Sequence, residues 1–185
     1  MELKKRDCRI KVYIEPLGAE LLDVSFDFGE SKLEFTPSTA GMSDEQFGEF
    51  ICALYTLYEE NNSGRFDGHS EWKRRKYHAE SDHRIKATTV TVKWDGEGPC
   101  MELEMTRKWK DDNILIRSTI DYGETYKEFL VNDKDFCYAV AKACTDVIKR
   151  FGFYGYRYST ESEPIKIHQL LFLKAYALGN MEARE

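Results

Sequence analysis

The 185-residue sequence lacks the short motifs that often identify an enzyme. It contains neither of the glycine-rich loops that bind nucleotide phosphates, G-x-G-x-x-G and G-x-x-x-x-G-K-[ST], and it contains no G-x-S-x-G nucleophile turn. These absences disfavour nucleotide-dependent and serine-hydrolase chemistry, although an enzyme built on scattered residues stays open. We predict no catalytic residue, no cofactor and no metal, and we favour a non-enzymatic protein.

The sequence also lacks a long apolar run and a regular cysteine pattern. No stretch approaches the roughly 20 apolar residues that a membrane-spanning helix needs, and the charged residues 1–6 have no apolar segment behind them, unlike a secretory signal. The five cysteines include no C-x-x-C pair, and their odd number favours reduced thiols. Cys137 and Cys144 lie on an apolar helical stripe, where a thiol packs as a small hydrophobe. We expect a cytoplasmic protein.

The net charge of −6 is unevenly distributed. Residues 1–64 carry 6 Lys and Arg against 13 Asp and Glu, whereas residues 65–86 carry 7 against 4. Nucleic-acid binding depends on concentrated positive charge. An acidic body with one basic segment therefore disfavours nucleic acid as a partner, and any such binding would involve the basic segment.

Residues 85–151 predict a four-stranded antiparallel meander followed by a helix. Short turns join the segments 85–94, 100–110, 114–122 and 125–131, and strands joined by tight turns must be antiparallel. In 100–110, one side of the alternation carries Met101, Leu103, Met105, Arg107 and Trp109. Asn132 or Asp133 is the expected helix cap, and Gly152 is the expected end.

The first half repeats this order, with strands at 8–15, 20–28 and 32–36 before a helix from Ser43 to about residue 60. Ser43 and Gln46 match a capping box. We predict one α+β domain, 1–185, with halves 8–64 and 85–152, a polar basic insert 65–84 and a C-terminal helix at about 163–178. Its antiparallel sheet has six to seven strands, in one sheet or two packed layers, and two amphipathic helices cover it. The expected order is β-β-β-α-β-β-β-β-α-(β)-α.

The insert is the first candidate site, because it is a long polar connection that joins basic and aromatic residues. A solvated segment without a partner is the simpler interpretation. If the insert binds a protein, an acidic surface suits it better than nucleic acid, and arginine and tryptophan are frequent interface anchors. We hypothesise a protein-binding module, comparable as a class to acidic inhibitors and immunity proteins that bind one partner stoichiometrically. The predicted partner-binding residues are Trp72, Lys73, Arg74, Arg75, Lys76 and Tyr77.

A small-molecule pocket or enzyme site between sheet and helices is the alternative. The Gly-aromatic stretch 153–158, predicted as an edge strand or packed loop, would line it with Tyr154, Tyr156, Arg157 and Tyr158. His78 and His83 are five residues apart, which does not match the i, i+4 spacing of a zinc helix. The last helix has four consecutive large apolar residues, so it is either buried on all sides, which we favour, or binds a partner, including a second copy in a homodimer.

Overall fold

A computed structural model describes residues 9–18, 21–35, 43–58, 73–78, 85–95, 100–108, 111–120, 125–160 and 166–179. Within these ranges the protein is an α+β structure of antiparallel strands and three helices, which confirms the predicted class. The elements are β1 (Lys11–Gly18), β2 (Leu21–Asp27), β3 (Lys32–Phe35), α1 (Ser43–Thr56), β4 (Lys73–His78), β5 (Ile85–Asp95), β6 (Cys100–Lys108), β7 (Asn113–Ile120), β8 (Thr125–Asn132), α2 (Asp133–Thr160) and α3 (Ile167–Ala177).

The strands form two antiparallel sheets, so the single sheet of six to seven strands is not confirmed. The small sheet has the order β1-β2-β3, and the large sheet has the order β4-β5-β6-β7-β8. The physical reason is the connection between β3 and β4, which contains α1. No tight turn forces those two strands to pair, whereas short turns join the strands within each meander.

Strand alternation divides the large sheet into an inner and an outer face. Val90, Met105, Ile116 and Phe129 pair in register across β5 to β8 and form one apolar row on the inner face. The neighbouring register positions on the other face are mainly polar or charged. The inner face packs on α1, α2 and the small sheet, in agreement with the rule that one face of an antiparallel sheet is buried.

Phe26 on β2 links the two sheets and two of the helices. Its ring lies 6.1 Å from the Trp94 ring on β5, 5.6 Å from the Phe50 ring on α1 and 6.1 Å from the Phe136 ring on α2, measured between centroids. A single hydrophobic cluster extends from β1 to α3 through these aromatic contacts.

Helix α2 begins where the sequence predicts, and its first segment ends at the predicted residue, Gly152, beyond which a second helical segment follows. Asn132 Oδ1 accepts a hydrogen bond from the Asp135 N–H at 3.1 Å, which is the predicted cap. Gly152 interrupts the helix with φ 69°, but the chain resumes helical geometry to Thr160. The prediction of a strand or loop at 153–158 is therefore wrong. A glycine at positive φ breaks one turn without deciding the conformation of the residues that follow.

Helix α3 buries one side and exposes the other, so the prediction that it is buried on all sides is wrong. Leu170, Leu173 and Tyr176 are buried against α1 and α2. Ile167 and Leu171 are 42% and 58% exposed. Among the described helices, none is long and apolar enough to cross a membrane.

We predict that Phe26→Ala lowers the free energy of unfolding by about 3–5 kcal/mol, because it removes the ring that contacts both sheets and two helices. Tyr13→Ala is the control, since Tyr13 lies on β1 of the same small sheet but is 53% exposed. That change is expected to cost less than about 1 kcal/mol. Urea unfolding monitored by circular dichroism measures both. Equal losses would contradict the central position of Phe26.

Candidate functional site

Five side chains from four parts of the chain meet in a buried polar group that we call the Asp133 cluster: Tyr58, Arg107, Asp133, Cys137 and Tyr176. Asp133 Oδ2 accepts hydrogen bonds from the Tyr176 hydroxyl at 2.5 Å and from Arg107 Nε at 3.3 Å. The Cys137 thiol donates to the Tyr58 hydroxyl at 3.2 Å. The Arg107 guanidinium lies 5.0 Å from the centroid of the Tyr58 ring, a cation–π distance.

The local sequence explains how these groups come together. Arg107 lies on the buried side of β6 after Leu103 and Met105, so its charge needs a buried partner. Asp133 is the first residue of α2, where the helix dipole stabilises a negative charge. The Asp133 side chain is 1% exposed, and its second oxygen, Oδ1, has no hydrogen-bond partner among the described residues.

The electrostatics of the Asp133 cluster do not suit catalysis. Burial raises the pKa of Cys137 to about 12, so the thiol is protonated at neutral pH and is a poor nucleophile. Burial also raises the pKa of Tyr58 and of Tyr176, which keeps both phenols protonated. Burial opposes the charge of Arg107, but the combined effect of its ionisable neighbours Tyr176, Tyr58 and Asp133 outweighs burial and raises the Arg107 pKa. The cluster connects the end of α1 with β6, α2 and α3.

The outer face of the large sheet is a second candidate. Its exposed apolar side chains are Tyr126 at 57% and Leu130 at 70%, four residues apart on β8. Leu130 pairs in register with the half-buried Leu115 on β7. We call Leu115, Arg117, Tyr126, Glu128 and Leu130 the outer-face patch.

Hydrogen bonds hold the polar part of the outer-face patch in place. Arg117 Nε donates to Glu128 Oε2 at 2.9 Å, and Arg117 Nη1 donates to Glu104 Oε1 at 3.1 Å. The Tyr126 hydroxyl donates to the same Glu128 oxygen at 2.8 Å. The hydrogen bonds from Arg117 and Tyr126 lower the pKa of Glu128. A bridged arginine and an ordered tyrosine therefore lie beside exposed leucine.

The predicted partner-binding residues are divided by the structure. Lys73 to Tyr77 form most of β4, which pairs with β5 at the edge of the large sheet, whereas Trp72 lies outside the described residues. The side chains of β4 are not among those described, so the basic stretch is located by its backbone alone. The polar insert thus contains a strand that the sequence analysis did not predict.

The predicted pocket residues Tyr154, Tyr156, Arg157 and Tyr158 lie in the last part of α2, and their side chains are also outside the description. A void between the sheets, lined by apolar side chains including Phe26, Phe28 and Met105, measures about 10 Å³. That volume is about the minimum for one water molecule, so this void holds no larger ligand. Within the described ranges, no group of three or more His, Cys, Asp or Glu side chains could hold a metal ion.

Sequence reasoning missed both polar groups. The signal for the Asp133 cluster was Arg107, a charged residue on the apolar side of an alternating strand. The outer-face patch gave a weaker signal, since β8 carries large apolar residues on both sides of its alternation.

Comparisons with protein-family models, with curated proteins and with solved structures find no significant match. Functional inference for this chain therefore depends on its own geometry and charge.

Tyr176→Phe is predicted to destabilise the protein by about 1–3 kcal/mol, because it removes a buried hydrogen bond to a carboxylate. Tyr126→Phe is a matched control: it removes the same type of bond, to Glu128, at an exposed position where water screens the interaction, and should cost clearly less. Urea unfolding of both variants gives the comparison. Equal costs would show that the Asp133 cluster contributes no more than a surface pair.

The buried thiols predict a loss of stability at alkaline pH. Burial raises the pKa values of Cys52, to about 11, and of Cys144 above that of an unfolded thiol. The contribution of these thiols to stability is complete below the pKa of a thiol in the unfolded chain, near 8.5. It falls as the pH rises towards the pKa of the same thiol in the folded protein, because between these two values only the unfolded chain ionises.

When the pH rises from 7 to 10, the free energy of unfolding of wild type should therefore fall by on the order of 1–2 kcal/mol more than that of Cys144→Ala, which lacks one such thiol. Urea unfolding at both pH values measures this difference. Tyrosines and lysines titrate in both proteins, so their effects on stability cancel in this difference. Identical losses would contradict the assignment for Cys144.

Proposed function

We propose that this chain is a non-enzymatic protein-binding module that acts through the outer face of its large sheet. The observation that supports the proposal best is the outer-face patch, where Tyr126 and Leu130 are more than half exposed beside an ordered arginine. Lone apolar residues are ordinary on protein surfaces, but here two of them adjoin a hydrogen-bonded network on the same sheet face.

The composition of the outer-face patch suits a protein partner. Tyrosine and arginine are among the side chains that most often dominate binding energy. A leucine beside them adds apolar surface that a partner buries from water. Arg117 and Tyr126 are already held by Glu128, so their side chains lose little conformational freedom when a partner binds.

The rest of the molecule supports binding more than catalysis. The Asp133 cluster, which lies between β6 and the helices, contains a protonated thiol and two protonated phenols around one ion pair. Stoichiometric inhibition of one protein, as an immunity-type protein does, requires a rigid surface and no reactive group. The net charge of −6 supports a partner with basic regions opposite the acidic body, and the cytoplasm is the proposed compartment.

The test is affinity capture from native lysate with three forms of the full-length chain. The first is wild type, and the second carries Tyr126→Ser and Leu130→Ser. The third carries Ile167→Ser and Leu171→Ser, which also removes two exposed large apolar side chains but from α3. We predict one stoichiometric protein with wild type and with the α3 variant, and at least tenfold less of it with the outer-face variant.

Circular dichroism and unfolding midpoints establish that both variants fold like wild type before capture. If the partner is retained by the outer-face variant and lost from the α3 variant, the binding surface is α3 and the proposed surface is wrong. If wild type captures no stoichiometric protein, the protein-binding proposal itself is contradicted.

A further inference from the structure

The strand β4 ends the large sheet on one side. It packs mainly on β5, and no strand of the described ranges pairs with its second edge. An edge strand presents a row of backbone N–H and C=O groups that can pair with another extended chain. Proteins use this geometry to bind peptides by adding a strand to the sheet.

The backbone of β4 is regular enough to serve as such a template. Its register with β5 is continuous from Lys73, opposite Thr91, to Tyr77, opposite Ala87, and shifts only between Tyr77 and His78. This regular part has the length of an ordinary short strand. An added segment could therefore pair along it without meeting a bulge until its end.

The charge of β4 selects the kind of segment that could be added. Lys73, Arg74, Arg75 and Lys76 are four consecutive cationic residues in a chain whose net charge is −6. A strand added beside β4 would lie about 4.8 Å from its backbone, well within the distance over which charges interact at physiological salt. Acidic residues in that strand would be attracted.

The same charge argues against a second copy of this chain at the edge. Two β4 strands paired with each other would bring four positive charges against four, and like charges on adjacent strands are destabilising. Charged residues on edge strands commonly prevent such self-association. The occupant is therefore a different chain with acidic character.

We infer that β4 is a docking edge for an extended acidic segment of a partner protein, which pairs with it as an additional strand of the large sheet. This inference rests on the proposed protein-binding function and specifies one contact of the partner. The other contact is the outer-face patch, which belongs to the same sheet.

The test uses the full-length chain and a labelled peptide of alternating Glu and Thr with capped ends. A second peptide has the same sequence with N-methyl groups on two neighbouring central residues, which blocks both of its edges because neighbouring amides of a strand point to opposite sides. A third alternates Lys and Thr. Fluorescence anisotropy measures binding, and hydrogen exchange measures protection of the β4 amides.

Two protein variants of equal net charge complete the design. One replaces Lys73, Arg74, Arg75 and Lys76 by Thr, a residue that favours strands. The control replaces Lys93, Lys108, Lys142 and Lys149 by Gln; all four of these lysines are exposed. Each variant removes four positive charges, so a difference between them reports the position of the charge.

We expect the Glu-Thr peptide to bind wild type and the control variant at least tenfold more tightly than the N-methylated and Lys-Thr peptides bind them. Binding of the Glu-Thr peptide should also slow hydrogen exchange of the β4 amides. The β4 variant should lose this binding. Equal binding of the N-methylated peptide, or no binding of the Glu-Thr peptide, would overturn the inference. Tighter binding of a duplex DNA fragment that displaces the peptide would also overturn it, in favour of phosphate recognition.

Failure here is distinguishable from failure of the proposed function. If no peptide pairs with β4, the inference about β4 is wrong, but the capture experiment with the outer-face variant still tests the proposed function. If the peptide pairs with β4 but the outer-face variant captures the partner as well as wild type, only the outer-face proposal is wrong.

Discussion

The packing of α2 and α3 against the large sheet depends on a carboxylate buried at the first residue of α2. Asp133 Oδ2 accepts hydrogen bonds from both Arg107 of β6 and Tyr176 of α3, so one carboxylate oxygen joins the sheet to the last helix. Removing one partner of a buried ion pair leaves an uncompensated charge, which is far costlier than losing a surface contact. Helix α2 is thereby held against the inner face, and the aromatic contacts of Phe26 close the same core from the small sheet.

This constraint has a consequence for function. Within the described ranges, the small sheet, α1 and α2 all contact the inner side of the large sheet, which is why we assign interaction to the outer-face patch and the β4 edge. The buried polar groups stabilise the fold, whereas the exposed polar groups around Arg117 are ordered at the surface. The interior and the outer face therefore have separate roles, and variants of the outer face can be studied without disturbing the Asp133 cluster.

Much of the fold follows from local patterns, while the rest requires tertiary information. Alternation predicts β6 and β7, and the cap at Asn132 predicts the start of α2. Strand β4 was missed because four consecutive cations show no apolar alternation; its pairing with β5 decides its structure. The outer-face patch was missed for a related reason: Tyr126 and Leu130 alternate with Phe129 and Val131, so the β8 sequence alone does not determine which side is buried.

The most direct test of this account is hydroxyl-radical footprinting of the protein with and without its captured partner, since it measures solvent access of individual side chains. The account predicts that oxidation of Tyr126 and Leu130 falls several-fold in the complex, while oxidation of Ile167 and Leu171 on α3 is unchanged. These four side chains begin with comparable exposure, so each pair serves as a control for the other. Protection of α3 with an unchanged outer face would contradict the account.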